Sequence, residues 1–457
     1  MFKPKIKDIV LKAGDSIKFA MSIIDRSGIG TAFVIDDKKR MIGSVTDGDV
    51  RQIILQGIDI NSPVLQIMNP DPVFLFEDEL DRTQRVVQKV NELLDRAGTN
   101  IYMPILNRKK ILEGLRLCSS LIRFEKNAGS NRVGVKRVLV VGGAGYLGSV
   151  LSRRLLKLNY KVRVLDLLLF GAESLEELLP NPDFELVKGD MRNISTVIGA
   201  LKGVDAVINL AAIVGDPACT KSPERTIETN YLANKLLAEA CKYHQINRFI
   251  YASTCSVYGV GEGKLDENAK LNPVSLYARS KIQSEQAILS LMDENFSPCI
   301  LRMSTLYGLS PRMRFDLVVN TMTKNAMVDK QISVFGGKQW RPLLHLCDAA
   351  EAYVHCLRAP IQKIKGQIYN VGFEEQNLQI ITIGKMVKKA IPKTMLTVKK
   401  DSFDARDYFV CFDKIKDHYG YSAKKTVPDG IEEIALAISK GRFPDVSHPK
   451  YYNVQEG

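Results

Sequence analysis

The most regular pattern of apolar and polar positions lies at 138–158, where an apolar, β-branched run breaks into glycines and resumes with helical spacing as LSRRLLKL. This order predicts a strand, a tight turn and a helix. Gly143, Gly145 and Gly148 permit the turn, let backbone N–H groups approach a pyrophosphate, and bring the helix close to the strand. The helix N-terminus behind the turn favours anions. The segment therefore predicts a dinucleotide-binding turn.

The next apolar run, KVRVLD, ends on a carboxylate. Asp166 lies eighteen positions beyond Gly148, where an acidic residue can bind the ribose hydroxyls of a dinucleotide. Leu167, Leu168 and Leu169 follow it, and no neighbouring Arg or Lys would therefore offset the repulsion between Asp166 and the 2′-phosphate of NADP. We therefore expect NAD rather than NADP.

Helical periodicity returns in SLYARSKIQSEQAILSLM and places Tyr277 and Lys281 on one face, four positions apart. An ammonium near a phenol stabilises the phenolate, and we therefore expect the pKa of Tyr277 to be lowered. Such a tyrosine can take a proton from a sugar hydroxyl while a hydride leaves the same carbon for NAD. Upstream, the apolar run at 248–259 ends in hydroxyl residues, and strand ends are where open α/β sheets place their sites.

The first 122 residues contain a weak internal repeat. The segment at 31–43 returns at 101–114, and each copy reads as a short apolar strand, a polar turn and a second strand, with a helical stretch on either side. The segment at 123–135 is polar, contains two glycines and lacks an apolar period, which is typical of a linker. We expect three parts: residues 1–122, the linker at 123–135, and residues 136–457.

Composition narrows the class of protein. A hydrophobic content of 45% over 457 residues is typical of a globular chain, and no apolar run approaches membrane-spanning length. The eight cysteines lack C-x-x-C spacing and the N-terminus lacks a signal-peptide pattern, which together favour free thiols in a reducing cytoplasm and no metal site. The net charge of +13 comes from basic residues in twos and threes, typical of solvated faces, and we expect neither a nucleic-acid nor a membrane partner.

Several further motifs follow the glycine turn in a fixed order. They are Asp166, Gly189-Asp190, Asn209–Ala212, Asn230, the STCSVYG strand end, Tyr277 with Lys281, Leu301-Arg302, Tyr307-Gly308, and Arg341–His345 with Asp348. Residues 136 to about 440 thereby resemble the extended short-chain dehydrogenase/reductases, the NAD-dependent nucleotide-sugar epimerase/dehydratase family. The resemblance implies a Rossmann-type, doubly wound parallel sheet with a small C-terminal substrate-binding part. It also implies NAD as cofactor and a nucleotide-diphosphate sugar as substrate.

The resemblance assigns roles to residues by their position. Its catalytic residues are Thr254, Tyr277 and Lys281, of which Thr254 would hydrogen-bond the reacting oxygen. Its cofactor-binding residues are Gly142, Gly145, Tyr146, Leu147, Gly148, Asp166, Asp190, Met191, Leu210, Ala211, Ala212, Tyr277 and Lys281. Its substrate-binding residues are Thr254, Cys255, Ser256, Thr305, Arg341 and Arg406. We expect the two arginines on the diphosphate because guanidinium forks match phosphate oxygens, although Arg406 equally suits an interdomain ion pair.

Departures from the family pattern bear on the reaction. Family 4,6-dehydratases follow the catalytic Thr with Asp-Glu, whereas this chain has Cys255-Ser256. Related epimerase-reductases carry Cys two positions before Tyr258, where this chain has Ser256, and Thr305 stands where many members have a substrate-facing Asn. We interpret Cys255 as a buried hydrophobe rather than an acid/base. These departures favour a 4-epimerase that works through a transient 4-keto intermediate. The alternatives are a 4,6-dehydratase, a 4-keto reductase, and a catalytically weak sensor or scaffold.

The front part, 1–122, resembles a tandem pair of CBS domains, an α+β module, on the strength of the segment Val45–Arg51. In that pattern Thr46 and Asp49 hold an adenosine ribose, whereas the second copy has Leu117 and Ser120 at the matching positions. The resemblance implies one adenine-nucleotide site per chain that regulates the enzyme. The other interpretation is a pair that only joins subunits. We expect a homodimer or a higher homo-oligomer.

Overall fold

The computed structural model describes residues 6–55, 58–77, 101–118, 135–399 and 406–453. These residues form two compact units, one within residues 1–132 and the other within 133–457. Each unit contains hydrophobic clusters of its own. Most of the predicted linker lies outside the described residues, and the boundaries at 122 and 135 stay predictions.

Two three-stranded sheets in the first unit repeat one arrangement. Their strands are β1 Val10–Lys12, β2 Thr31–Ile35 and β3 Met41–Thr46, and then β4 Leu75–Phe76, β5 Ile101–Leu106 and β6 Leu112–Cys118. In each sheet the first strand is parallel to the second, and the second is antiparallel to the third. The predicted repeat is therefore confirmed for its strands. Helices α1 Ile17–Ser27 and α2 Asp47–Leu55 belong to the first copy, and the helical stretches expected beside the second copy lie outside the described residues.

The two copies share part of their core. Residues of β1, β2, β3 and α1 pack together in one cluster, whose members include Leu11, Ile23 and Val34. A second cluster joins Phe33 of the first copy to Leu106 of the second. Because neither small sheet covers both of its faces alone, the paired arrangement is what buries these apolar side chains.

The second unit is built from fourteen described strands and twelve described helices. The strands are β7 Arg137–Val141, β8 Lys161–Asp166, β9 Phe184–Lys188, β10 Ala206–Asn209, β11 Arg248–Thr254, β12 Val260–Leu265, β13 Ser297–Met303, β14 Thr305–Tyr307, β15 Gln331–Phe335, β16 Trp340–His345, β17 Gln367–Val371, β18 Asn377–Gln379, β19 Met395–Lys399 and β20 Asp407–Val410. The helices are α3 Tyr146–Lys157, α4 Ile194–Leu201, α5 Asp216–Lys221, α6 Pro223–Ile227, α7 Ala233–Tyr243, α8 Leu276–Ser290, α9 Val318–Val328, α10 Leu346–Arg358, α11 Ile361–Ile364, α12 Ile380–Ala390, α13 Asp413–Tyr419 and α14 Val427–Ser439.

A seven-stranded parallel sheet forms the centre of this unit, in the order β17-β13-β11-β10-β7-β8-β9. The chain builds outward from β7 to β9, then returns to β10 and builds outward in the other direction. The strand order therefore reverses between β7 and β10. This is the doubly wound Rossmann-type sheet that the sequence predicted, and its ligand crevice is expected at this reversal.

Helices cover both faces of the sheet, which explains why its strands are apolar on both sides. One cluster includes Leu151 of α3 and Tyr353 of α10. The other includes Val197 of α4, Leu237 of α7 and Ile288 of α8. The resulting sheet is rigid, and its carboxyl edge can hold side chains from several strands in fixed positions.

A smaller part is formed by segments that alternate along the chain with the last strands of the main sheet. It contains the sheets β14-β16-β18, β15-β19 and β12-β20, and helices α9, α12 and α14 pack against the first two. This part corresponds to the small C-terminal part implied by the resemblance.

Candidate active site

A cavity of about 990 Å³ lies at the carboxyl ends of the central strands. Its wall includes Val141 at the end of β7, Asp166 at the end of β8, Leu210 just beyond β10 and Thr254 at the end of β11. It extends to residues of the smaller part such as Phe335. The cavity thus opens at the strand-order reversal, where doubly wound sheets bind their ligands.

The glycine turn is packed so tightly at Gly142, Gly143 and Gly148 that a side chain cannot be added there without a shift of the backbone or its neighbours. Gly142 has φ +82°, and a Cβ there would lie 2.8 Å from the Ala211 nitrogen. A Cβ on Gly148 would lie 2.3 Å from the Gly142 oxygen. Gly143 packs against the Val164 side chain, which brings α3 onto β8. Gly145 precedes α3 as its N-cap residue, leaving the first backbone N–H groups of the helix at the cavity.

Asp166 supports this turn from the neighbouring strand. Its Oδ2 accepts a hydrogen bond from the Ala144 nitrogen at 2.9 Å, and its Oδ1 accepts one from the Leu168 nitrogen at 2.8 Å. Burial raises the pKa of the carboxyl above its usual value, and the charge of Arg312 acts to lower it. No basic residue follows Asp166 closely along the chain, whereas the fold brings Arg312 near it.

The predicted catalytic residues are brought together. Tyr277 and Lys281 lie on α8, which begins after the N-cap Ser275, and Thr254 ends β11. The Tyr277 side chain hydrogen-bonds the Thr254 side chain. The Lys281 Nζ donates to the Ala252 carbonyl at 2.7 Å and lies 5.9 Å from the Tyr277 ring centroid. All three predicted catalytic residues line the cavity.

The expected lowering of the pKa of Tyr277 is not found. Burial, the largest cause, raises the pKa of the phenol above its usual value of about 10. Burial also lowers the pKa of Lys281 to about 7, although the charge of Glu285 acts to raise it. The prediction was wrong because it counted the attraction between ammonium and phenolate and left out the loss of hydration of both groups.

A buried ion pair anchors α8 to the sheet. Glu285, one turn beyond Lys281, bonds the Arg302 guanidinium of β13 at 2.8 Å, and both side chains are 3% exposed. The Ser253 hydroxyl, next to Thr254, also donates to Glu285. The pair therefore fixes the spacing between the helix and the two strands that meet at the catalytic residues.

Cys255 points away from the cavity. Its thiol donates to the Arg302 carbonyl at 3.2 Å, and burial raises its pKa well above the usual range. Cys255, predicted to contact the substrate, is thus absent from the described residues that line the cavity, whereas the other predicted substrate residues are present. The reason is that Thr254 begins a 3₁₀ turn over Cys255–Tyr258, which turns Cys255 into a hydrophobic cluster.

The two predicted diphosphate arginines are held within the unit. Arg341 donates from Nη1 to the Trp340 carbonyl at 2.7 Å and also to the Arg406 carbonyl. The Arg406 Nη1 lies 3.4 Å from the Asp216 Oδ2. Arg406 thus makes an ion pair, as the alternative interpretation allowed, but its partner lies in the same unit and at the same cavity.

Sequence reasoning missed several residues of the cavity wall. Asp216 begins α5, Arg312 lies between β14 and α9, and Asn453 lies near the end of the chain. The Asn453 Nδ2 donates to the Val214 carbonyl at 3.2 Å. No local pattern distinguishes these residues, because loops and tertiary contacts bring them to the cavity.

A π-helical turn also shapes the wall. The turn Glu228–Leu232 joins α6 to α7 and carries the buried Asn230. The Asn230 side chain bonds both backbone groups of Ile213, at 2.8 Å to its nitrogen and 2.9 Å to its oxygen. This holds the segment that leads to Asp216, which explains the place of Asn230 among the ordered motifs.

Two models of known protein families match the chain. The model of the NAD dependent epimerase/dehydratase family matches residues 138–372, and the CBS domain model matches residues 5–56. The chain belongs to the NAD-dependent epimerase/dehydratase family. It is an NAD-dependent nucleotide-sugar enzyme of that family, with a CBS domain at its front.

Relatives of this epimerase/dehydratase include members with different reactions. An uncharacterized UDP-glucose epimerase (YtcB) of Bacillus subtilis strain 168 is 32% identical over 52% of this chain and 78% of its own length. A dTDP-glucose 4,6-dehydratase of Streptomyces niveus is 27% identical over 65% of this chain and 91% of its own. The crystal structure of UDP-glucuronic acid 4-epimerase from Bacillus cereus, in complex with UDP-glucuronic acid and NAD, matches with a TM-score of 0.62 and 28% identity, over 66% of this chain and 99% of that one.

The residues present fit NAD. The cradle at Gly142 and Gly148 has no room for a Cβ, the N-terminus of α3 faces the cavity, and Asp166 lies where ribose hydroxyls can reach a carboxylate. The predicted cofactor residues from Gly142 to Ala212 and the pair Tyr277 and Lys281 all line this one cavity.

In the first unit, Thr46 and Asp49 bond each other. The Thr46 nitrogen and hydroxyl both donate to the Asp49 Oδ2 at 2.7 Å, and the Asp49 nitrogen donates to the Thr46 hydroxyl at 3.3 Å. This is a capping box for α2. In the second copy, Leu117 lies in β6, and Ser120 lies outside the described residues.

Two features are absent from the described ranges. Within them, no helix has the length and apolar character needed to cross a membrane. The same residues contain no group of three or more His, Cys, Asp or Glu that could hold a metal ion.

Proposed function

We propose that the chain is a nucleotide-diphosphate-sugar 4-epimerase. The observation that carries the proposal is the set of Thr254, Tyr277 and Lys281 around one cavity, in a chain that has Cys255 and Ser256 where dehydratases have two carboxylates. The set can move a proton on and off a sugar hydroxyl. It lacks the acid and base of a dehydration.

Tyr277, Thr254 and Lys281 each have a separate role in the proposed reaction. Tyr277 takes the proton of the C4 hydroxyl, and Thr254 hydrogen-bonds the same oxygen while its charge changes. Lys281, whose pKa of about 7 lies near neutrality, supplies positive charge beside the phenolate. NAD, held by the glycine turn and Asp166, would supply the acceptor for the C4 hydride when it leaves and the donor when it returns. Rotation of the 4-keto sugar between these two events presents its other face, and Tyr277 then gives the proton back.

The dehydratase alternative is disfavoured by the surroundings of Thr254. The Cys255 thiol is buried and faces Arg302, and Asp216, a carboxylate at the cavity, is paired with Arg406. For the reductase alternative, Ser256 occupies the position of the expected cysteine. UDP-sugars are the first substrates to test, because two of the relatives described above are named for UDP-sugar epimerases.

We also propose that the front module binds one adenine nucleotide per chain and tunes the epimerase. The support is the CBS match at 5–56 and the retention of Thr46 and Asp49 in the first copy against Leu117 and Ser120 in the second. The alternative role for the module is assembly into a homodimer or higher oligomer.

The deciding experiment offers a panel of UDP-, dTDP-, GDP- and CDP-sugars to the full chain and analyses products by NMR. We expect one C4-epimer pair to interconvert, with no net change in NADH absorbance and no loss of water. A 4-keto-6-deoxy product would overturn the epimerase proposal in favour of dehydration, and stoichiometric consumption of NADH or NADPH would favour a reductase. Binding of a nucleotide sugar without turnover would favour a sensor.

A further inference from the structure

Arg312 is a buried cation whose hydrogen bonds are incomplete. It is 6% exposed, and its side chain lies in the wall of the cavity between β14 and α9. Its guanidinium carbon lies 3.8 Å from the centroid of the Phe170 ring, which fixes the plane of the group by stacking. Neither its Nε nor its Nη2 meets a hydrogen-bond acceptor among the described residues. Burying a guanidinium with two nitrogens unpaired lowers the stability of the folded chain, and an anion bound to these nitrogens would supply the missing hydrogen bonds.

The neighbouring carboxylates already accept hydrogen bonds from other groups. Asp316 bonds Arg314 through both oxygens, at 3.0 and 2.7 Å. Asp166 accepts the backbone N–H groups of Ala144 and Leu168. Burial and the adjacent Arg314 lower the pKa of Arg312 to about 10, which still leaves it charged at neutral pH. Both carboxylates therefore act on Arg312 through their charge alone, and its Nε and Nη2 remain open to a further acceptor.

We propose that Arg312 binds a diphosphate oxygen, and that this diphosphate is the one in NAD. Phosphate is the chemistry that fits, because a guanidinium fork matches two phosphate oxygens. A diphosphate is also present in the nucleotide sugar. The cofactor is favoured because Arg312 stacks on Phe170, four residues beyond Asp166, and because the charge of Asp166 acts on Arg312 at the cofactor end of the cavity. Arg312 would thus face the glycine turn across the cofactor and supply the side-chain cation that the turn lacks.

The test compares NAD and UDP binding to the purified full chain by calorimetry. Arg312→Met should weaken NAD binding about ten- to a hundredfold and make it less dependent on salt, while UDP binding changes less than about twofold. Arg312→Lys keeps the charge without the guanidinium fork, and its affinity for NAD should lie between those of the wild type and Arg312→Met. Phe170→Leu is the matched control: it removes the stacking surface, keeps the charge, and should weaken NAD binding only a few-fold.

Thermal melting of the NAD-free protein separates binding from a structural role. Arg312→Met should melt at the same or a higher temperature than the wild type, because it removes a buried cation whose Nε and Nη2 have no acceptor in the described part of the chain. If it melts lower and binds NAD with unchanged affinity, Arg312 is a structural residue and the proposal fails. If UDP binding weakens and NAD binding does not, the diphosphate is that of the nucleotide sugar, and the cofactor assignment fails. Neither result depends on which reaction the enzyme catalyses.

Discussion

Tyr277 and Lys281 are both buried, and burial acts on their proton equilibria in opposite directions. It raises the pKa of the phenol and lowers that of the ammonium to about 7. In the NAD-free state the tyrosine is therefore a protonated phenol at neutral pH. The positive charge of the nicotinamide ring would act against the effect of burial on Tyr277, because it favours the phenolate. The protonation states of Tyr277 and Lys281 during catalysis therefore depend on whether NAD is bound in the cavity.

Substitutions at the catalytic residues test this reading. Tyr277→Phe removes the proton acceptor and should lower kcat by about 10²–10⁴. Thr254→Val should also lower kcat, because it removes the hydrogen bond to the reacting oxygen. Cys255→Ser is the neighbouring control and should change kcat by less than about threefold, since its thiol faces Arg302. Loss of turnover in Cys255→Ser with activity retained in Tyr277→Phe would reverse the assignments.

The lowered pKa of Lys281 predicts a dependence of stability on pH in the NAD-free protein. Between about pH 7 and pH 10 the unfolded chain binds a proton at Lys281 that the folded chain has lost. The free energy of unfolding therefore gains up to about 1.4 kcal/mol per pH unit from this residue as the pH rises through that window. Lys281→Met should remove this contribution. Urea unfolding of both proteins at pH 7, 8 and 9 measures the difference, and parallel slopes would show that Lys281 is charged in the folded state.

At the scale of elements, the periodic segments were predictable and the loops were not. The strand, turn and helix around Gly143, and the helix of Tyr277 and Lys281, follow from local apolar spacing, because their burial is decided by the sheet they cover. Arg312 and Asp216 reach the cavity from connections whose paths are fixed by packing with distant parts of the chain. Sequence spacing also gave no measure of hydration, and it therefore gave the wrong direction for the pKa of Tyr277.

The capping box of α2 changes how the nucleotide site of the first unit should be tested. Because Asp49 accepts two bonds from Thr46, Asp49→Ala should cost about 0.5–2 kcal/mol of stability in addition to any loss of binding. Asp49→Ser keeps the Thr46 N-cap and a hydroxyl oxygen at position 49, and it removes the carboxylate. We expect Asp49→Ser to melt near the wild-type temperature and to bind AMP or ATP about tenfold more weakly. If Asp49→Ser bound the nucleotide with unchanged affinity, Thr46 and Asp49 would serve only to cap α2.

At the scale of the whole molecule, the chain consists of two units with separate hydrophobic clusters. The cavity is lined by described residues of the second unit alone. The residues that carry the proposed chemistry therefore need no side chain of the first unit. This separation allows the module to act as a regulator without contributing to the chemistry itself.

Removal of residues 1–122 tests that division. The remaining chain keeps the main sheet, both of its helical layers and the cavity, and we expect kcat within about twofold of the full chain. The full chain should change its rate as AMP or ATP is added, whereas the shortened chain should not, because Thr46 and Asp49 are gone. Light scattering of both forms shows whether the module also joins subunits. A shortened chain that still melts cooperatively and binds NAD, yet has lost turnover, would show that the module completes the active assembly, and the regulatory proposal would then be wrong.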